Sequence, residues 1–157
     1  MTEKIEIRTG EKADLPNILN LIKELADYEK APAEVEVTVS EMENWGFGEN
    51  KLFDFFVAEQ NEVIVGLALF YYKYSTWKGK CLFLEDIIVT EKLRGKGIGK
   101  NLFDKIVEVA KKEKVRRLEW QVLNWNKPAI KFYEKYNANL DPEWLNGKLT
   151  NHQLEKL

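Results

Sequence analysis

Hydrophobic and polar positions follow two rhythms along this chain, and they change places several times. Ile5 to Arg8 alternates and predicts a short first strand. From Asp14 onward the period lengthens. Leu15, Ile18, Leu19, Ile22, Leu25 and Ala26 recur at helical spacing, with Asp14 placed to cap the helix and Pro16 near its start. Ala31-Pro32 ends that helix, and Ser40 to Trp45 predicts a second, closing near Gly46. Phe53–Glu59 and Glu62–Tyr72 read as strands joined by a turn at Gln60-Asn61. Lys80–Val89 is a third strand in succession, apolar from Leu82 except for Glu85 and Asp86. Gly97–Lys112 is an amphipathic helix burying Leu102, Phe103, Ile106, Val107, Val109 and Ala110. Arg117–Leu123 is a strand, Lys127–Tyr136 a helix opening at Asn126-Lys127-Pro128, and Trp144–Leu149 a last strand with a short helical end.

The order predicts an α/β or α+β sheet, antiparallel in the middle and parallel towards its end. No repeat, low-complexity run or Pro/Gly/Ser-rich linker divides the 157 residues, so residues 1–157 are expected to form a single domain. A net charge of -2 lacks the basic footprint of a nucleic-acid binder. No run of about 18 apolar residues predicts a membrane span, and the first ten residues lack the apolar core of a signal peptide. One cysteine, Cys81, allows no internal disulfide, which suits a reducing cytoplasm. With His152 as the single histidine, neither a zinc site nor a Cys–His nucleophile is expected.

The most informative stretch is Arg94-Gly95-Lys96-Gly97-Ile98-Gly99-Lys100, between an apolar strand and a helix. Glycines there permit positive φ and close approach of a ligand, and a helix N-terminus offers free N–H groups and a favourable dipole. Arg94 and the lysines add positive charge. The spacing misses the nucleoside-triphosphate loop: Gly95 and Gly99 are one residue too close, and Asn101 replaces the Ser or Thr. It misses the dinucleotide fingerprint too, because Lys100 stands at the last glycine position. A glycine-rich turn without a ligand remains an alternative on the loop alone.

Arg94, Gly97 and Gly99 match the R/Q-x-x-G-x-G/A coenzyme A loop of the GNAT acetyltransferases. Leu21-Ile22-Lys23-Glu24-Leu25-Ala26-Asp27-Tyr28-Glu29, Gly46-Phe47-Gly48-Glu49, Leu84-Glu85-Asp86-Ile87-Ile88-Val89 and Trp125-Asn126-Lys127-Pro128-Ala129-Ile130-Lys131-Phe132-Tyr133 are similar, in order, to the spermidine/spermine (diamine) branch of that superfamily. Tyr74-Ser75-Thr76-Trp77-Lys78-Gly79 resembles most its thialysine ε-acetyltransferase relatives. The resemblance implies a twisted mixed sheet of about six or seven strands with helices on both faces. It also implies a homodimer and a splay between the central strand and its parallel neighbour. The activity implied is acetyl transfer from acetyl-coenzyme A to the primary amine of a small molecule, without a metal. Ile87, Ile88, Val89, Arg94, Gly95, Lys96, Gly97, Ile98, Gly99, Lys100, Asn126 and Tyr133 would hold the cosubstrate.

Such a reaction needs a base for an amine of pKa near about 10, a donor for the thioester carbonyl and an acid for the leaving thiolate. Glu85, expected to be buried among apolar neighbours, is the candidate base, and the resemblance implies that it acts through water. Asp86 would point to the opposite face of a regular strand. The resemblance makes Tyr133 the acid. Tyr28, Glu29, Trp77, Glu85 and Asp86 would select a cationic acceptor, with cation–π attraction from an aromatic face. Polyamine enzymes of the branch carry an acid where this chain has Ser75, so a lysine-like amine or short diamine is expected, with a polyamine as the alternative. A non-catalytic coenzyme A sensor and a protein-lysine acetyltransferase are the competing functions.

Overall fold

The computed structural model describes residues 4–157. They fall into two compact units, one running to Gln121 and the other Val122–Leu157. In the first, β1 (Ile5–Thr9), α1 (Leu15–Tyr28), α2 (Val39–Phe47), β2 (Asp54–Gln60), β3 (Val63–Ser75), β4 (Gly79–Val89), α3 (Ile98–Lys112) and β5 (Arg117–Trp120) follow in order. The second holds α4 (Lys127–Glu134) and α5 (Asn151–Glu155).

The sheet order is β1-β2-β3-β4-β5, antiparallel throughout except for the parallel β4–β5 pair. Its middle strands are buried on both sides, as Phe55 to Ala58 and Val65 to Phe70 show. On one face Phe55, Val57, Leu67, Leu69 and Ile88 pack against Leu15, Ile18 and Leu19 of α1 and Met42 of α2. On the other, Phe56 stacks on Phe70 at 5.6 Å, and α3 buries Leu102, Phe103 and Ile106. Gly66 lets α3 approach: a Cβ there would lie 2.9 Å from Leu102 Cδ1.

Three expectations need correction. Among the described residues the sheet has five strands rather than six or seven, because no regular element lies between Glu134 and Asn151. Trp144, Leu145 and Leu149 are exposed there; a strand needs a partner ladder, and Pro142 and Gly147 interrupt this segment. β5 stops at Trp120 instead of Leu123. The β2–β3 turn is Asn61-Glu62, closed by Gln60 opposite Val63. Both turn residues have positive φ, 50° and 63°, the conformation that suits the twist of a two-residue hairpin.

Asp14 also departs from its expected role. Its side chain makes no capping bond to α1. Instead it receives Arg8 Nη1 at 2.8 Å, Arg8 Nη2 at 2.9 Å and the Glu11 N–H at 2.7 Å. This buried carboxylate ties β1 to the start of α1. The Arg8 hydrogen bonds hold its carboxyl below the ordinary 3.8, so its stabilisation is present above that value and lost as pH falls through the folded one. Asp14→Ala should cost about 2 kcal/mol at pH 7, below the usual cost of breaking a fully buried pair because Arg8 is partly exposed. Urea denaturation at pH 7 and pH 3 should show that cost shrinking in acid.

Candidate active site

The acidic pair in β4 owes its arrangement to a β-bulge. Leu69 pairs with Asp86 and Phe70 with Leu84, so Glu85 is an extra residue in the ladder. A regular strand would send the two side chains to opposite faces. Here they act together: the Tyr71 hydroxyl donates to Glu85 Oε2 at 3.0 Å, and the Tyr71 phenol feels the charges of both Glu85 and Asp86. Burial, then Glu85, then Glu29 push the Asp86 carboxyl up to about 6. Burial also raises Glu29, which follows α1. Glu85 is exposed, so the desolvation expected at Glu85 falls on its neighbour. Burial, followed by the Glu85 hydrogen bond, pushes Tyr71 up to about 12. Tyr71 was not a candidate from sequence, because its partner depends on a register shift that no local pattern reveals.

The glycine loop begins one turn beyond β4. Gly95 and Gly97 have φ of 76° and 84°, and a Cβ at either would meet no atom within 4 Å. Backbone conformation, rather than space, calls for glycine here. Gly97 is the N-cap of α3 and supplies no side-chain cap, so the first-turn N–H groups of Ile98, Gly99 and Lys100 point outward from the helix start without intrahelical acceptors. That arrangement fits phosphate oxygens.

Arg94 commits its guanidinium to the protein. Its Nε donates to the Val89 carbonyl at 2.9 Å, its Nη2 lies 3.6 Å from Glu24 Oε1, and it sits 5.1 Å from the centre of the Tyr28 ring. Glu24 also takes the Glu91 N–H at 2.8 Å and the Thr90 hydroxyl at 3.2 Å. The pair Glu24–Arg94 therefore clasps the turn after β4 to α1. Arg94 is an anchor of the loop here, and Glu24 is a contributor that no spacing in the sequence marks.

β4 has an open edge beside the bulge. Its parallel ladder with β5 ends at Leu84–Trp120, while β4 continues to Val89. The Thr90 N–H donates to the Val65 carbonyl at 2.9 Å. Alternation from that bond turns the backbone groups of Ile88 and Asp86 towards β3, and those of Ile87 and Val89 away from it. Of Ile87, Ile88 and Val89, expected to hold the cosubstrate, Ile88 thus has its backbone groups committed to the ladder.

The remaining candidates lie elsewhere. Trp77 is at the β3–β4 hairpin tip, exposed and about 20 Å along the strand from Glu85. It is not brought to Tyr28, Glu29 and Asp86. Ser75 ends β3 and closes the hairpin turn, its Oγ accepting the N–H groups of Trp77 and Lys78 at 3.2 Å each. In the second unit, Asn126 caps α4 by accepting the Ala129 N–H at 3.3 Å, and Tyr133 is buried on that helix.

The model of the "Acetyltransferase (GNAT) family" matches residues 15–138. The chain belongs to the GNAT acetyltransferase family. It is 39% identical over 142 residues to a bovine thialysine N-epsilon-acetyltransferase, covering 85% of this chain and 84% of that one. It is 36% identical over 140 residues to a human spermidine/spermine N(1)-acetyltransferase-like protein 1, covering 85% of this chain but 20% of the human protein. A predicted acetyltransferase from Clostridium acetobutylicum, solved with acetyl-CoA, superposes with a TM-score of 0.75 at 18% identity, covering 92% of this chain and 96% of that one. That likeness is one of fold. The protein is thus an acyltransferase enzyme.

Ionising the raised Asp86 carboxyl opposes folding. The favourable, protonated state is fully present below the unfolded value and lost as pH rises through about 6. Asp86→Asn should therefore stabilise the free enzyme by about 2 kcal/mol at pH 8. Its melting temperature should exceed wild type there, and the gain should vanish below about pH 4.

Proposed function

We propose that this GNAT enzyme transfers acetyl from acetyl-coenzyme A to the terminal amine of a lysine-like amino acid or short diamine. The observation that carries the reading is the acidic group Glu85, Asp86 and Glu29 beside a β4 edge that outruns its parallel partner. An incoming ammonium meets negative charge on one side and open backbone groups on the other.

Residues Gly95 to Lys100 suit the cosubstrate's phosphates, with Gly97 at left-handed φ and α3 uncapped by any side chain. Bound there, acetyl-coenzyme A supplies a thioester activated for attack by an amine. The Val89 N–H at the open edge is the candidate donor to the carbonyl oxygen, where negative charge develops. Glu85 is exposed and oriented by Tyr71, which suits a base that takes the amine proton through water. A second assignment, with Asp86 as base and Glu85 as cation anchor, is favoured by the Asp86 carboxyl near 6. Tyr133 is the proposed acid for the thiolate, supported by the family motif and by its burial on α4, and Asn126 stands at the head of the same helix. The family motifs support a homodimer of one catalytic domain, and the single Cys81 suits a reducing cytoplasm.

The test is thiol release from acetyl-coenzyme A with lysine, thialysine, putrescine, spermidine, spermine and a lysine peptide. Turnover should be highest with the short lysine-like amines and low with spermine. Glu85→Gln should lower kcat by about a hundredfold. Near-normal kcat in Glu85→Gln, with its loss in Asp86→Asn, would transfer the base role to Asp86. Tight coenzyme A binding with no turnover of any amine would contradict the transferase reading.

A further inference from the structure

Further down the sheet from the acidic pair, the same surface carries a second charged group that the acetyl-transfer chemistry leaves unused. Tyr71, Lys73 and Ser75 alternate onto one face of β3, and Arg117 and Glu119 onto one face of β5. Contacts run unbroken from the proposed base. Tyr71, bonded to Glu85, stacks on Phe83 with 5.3 Å between ring centres. Lys73 Nζ lies 5.6 Å from the centre of the Phe83 ring and 3.5 Å from Glu119 Oε2. That oxygen is 3.7 Å from Arg117 Nε, and Arg117 Nη2 donates to Ser75 Oγ at 2.7 Å.

Two features point to a ligand. Lys73, Arg117 and Glu119 are two cations against one anion, which leaves a positive excess. In addition, Arg117 Nε and Glu119 Oε2 are buried atoms with no hydrogen-bond partner among the described residues. Arg117 Nε and Lys73 Nζ both stand at ion-pair distance from Glu119 Oε2, without a hydrogen bond. Buried polar atoms are ordinarily satisfied, and leaving one unmade costs about 1–3 kcal/mol.

We infer that Lys73, Arg117 and Glu119 form the subsite for the far end of the acceptor, binding the zwitterionic head of an α-amino acid. Lys73 and Arg117 take its α-carboxylate, Glu119 takes its α-ammonium, and the ω-amine reaches Glu85 and Asp86. The assignment rests on the transferase reading and narrows its acceptor to α-amino acids that carry a terminal amine. Spacing agrees. Lys73 and Arg117 both reach to Glu119, which pairs with Phe83, two strand residues, or about 7 Å, from Glu85 and close to the extended reach of an amino acid with a four-atom side chain before its amine. A linear polyamine would instead bring a second ammonium to the excess positive charge, where like charges repel. Ser75 fits the same logic. A carboxylate in its place would pair with Arg117 and withdraw that cation from an incoming carboxylate.

The test compares kcat/KM for thialysine with that for bis(2-aminoethyl) sulfide, the same molecule without its carboxylate. Wild type should prefer thialysine. Lys73→Met and Arg117→Gln should each lower kcat/KM for thialysine about tenfold or more, mainly through KM, while the diamine is unchanged or improved. An equal fall for both acceptors would indicate a merely structural role and overturn the subsite, as would unchanged thialysine kinetics or a wild type that favours the diamine. A wild-type enzyme that turns over neither acceptor would overturn the transferase reading and this assignment with it.

Discussion

The site depends on one irregularity in the sheet, the extra residue at Glu85. Because Leu69 pairs with Asp86 while Phe70 pairs with Leu84, two consecutive carboxylates act on the same surroundings. Their mutual repulsion, added to burial, is what keeps Asp86 near 6. Like charges this close oppose each other's ionisation, and an incoming ammonium relieves both. An electrostatic penalty in the free enzyme thereby becomes affinity for a cation.

The rest of the first unit supports that irregular strand. α1 and α2 cover one face and α3 the other, so β4 is held by packing even where β5 no longer pairs with it. Glu24 reaches from α1 to the Thr90-Glu91 backbone and to Arg94. The end of the strand, the glycine loop and the helix that presents Tyr28 and Glu29 are thus parts of one polar junction. Movement of α1 would disturb acceptor and cosubstrate ends together.

Much of this was legible in the chain, and the failures have identifiable causes. Helical spacing located α1 and α3, and apolar runs located β2 to β4, because burial on one stripe or both faces leaves a periodic trace. The loop at Arg94 to Gly99 was legible because positive φ calls for glycine. Pairing relations left no such trace. The bulge made Glu85 an extra residue in the ladder, charge-coupled to Asp86, and the hairpin length set Trp77 far from Glu85. Arg94 looked like a free cation until Glu24, 70 residues earlier in the chain, came into view. Trp144 to Leu149 read as a strand by composition but has no ladder in the described residues.

The most direct measurement is the titration of the Asp86 side-chain carboxyl carbon by NMR, in free enzyme and with coenzyme A and a lysine-like amine bound. The account predicts a midpoint near 6 in the free enzyme and a clear fall when the ammonium occupies the site. A midpoint near the ordinary 3.8, or one unmoved by the amine, would contradict the claim that the bulged acidic pair is the acceptor site.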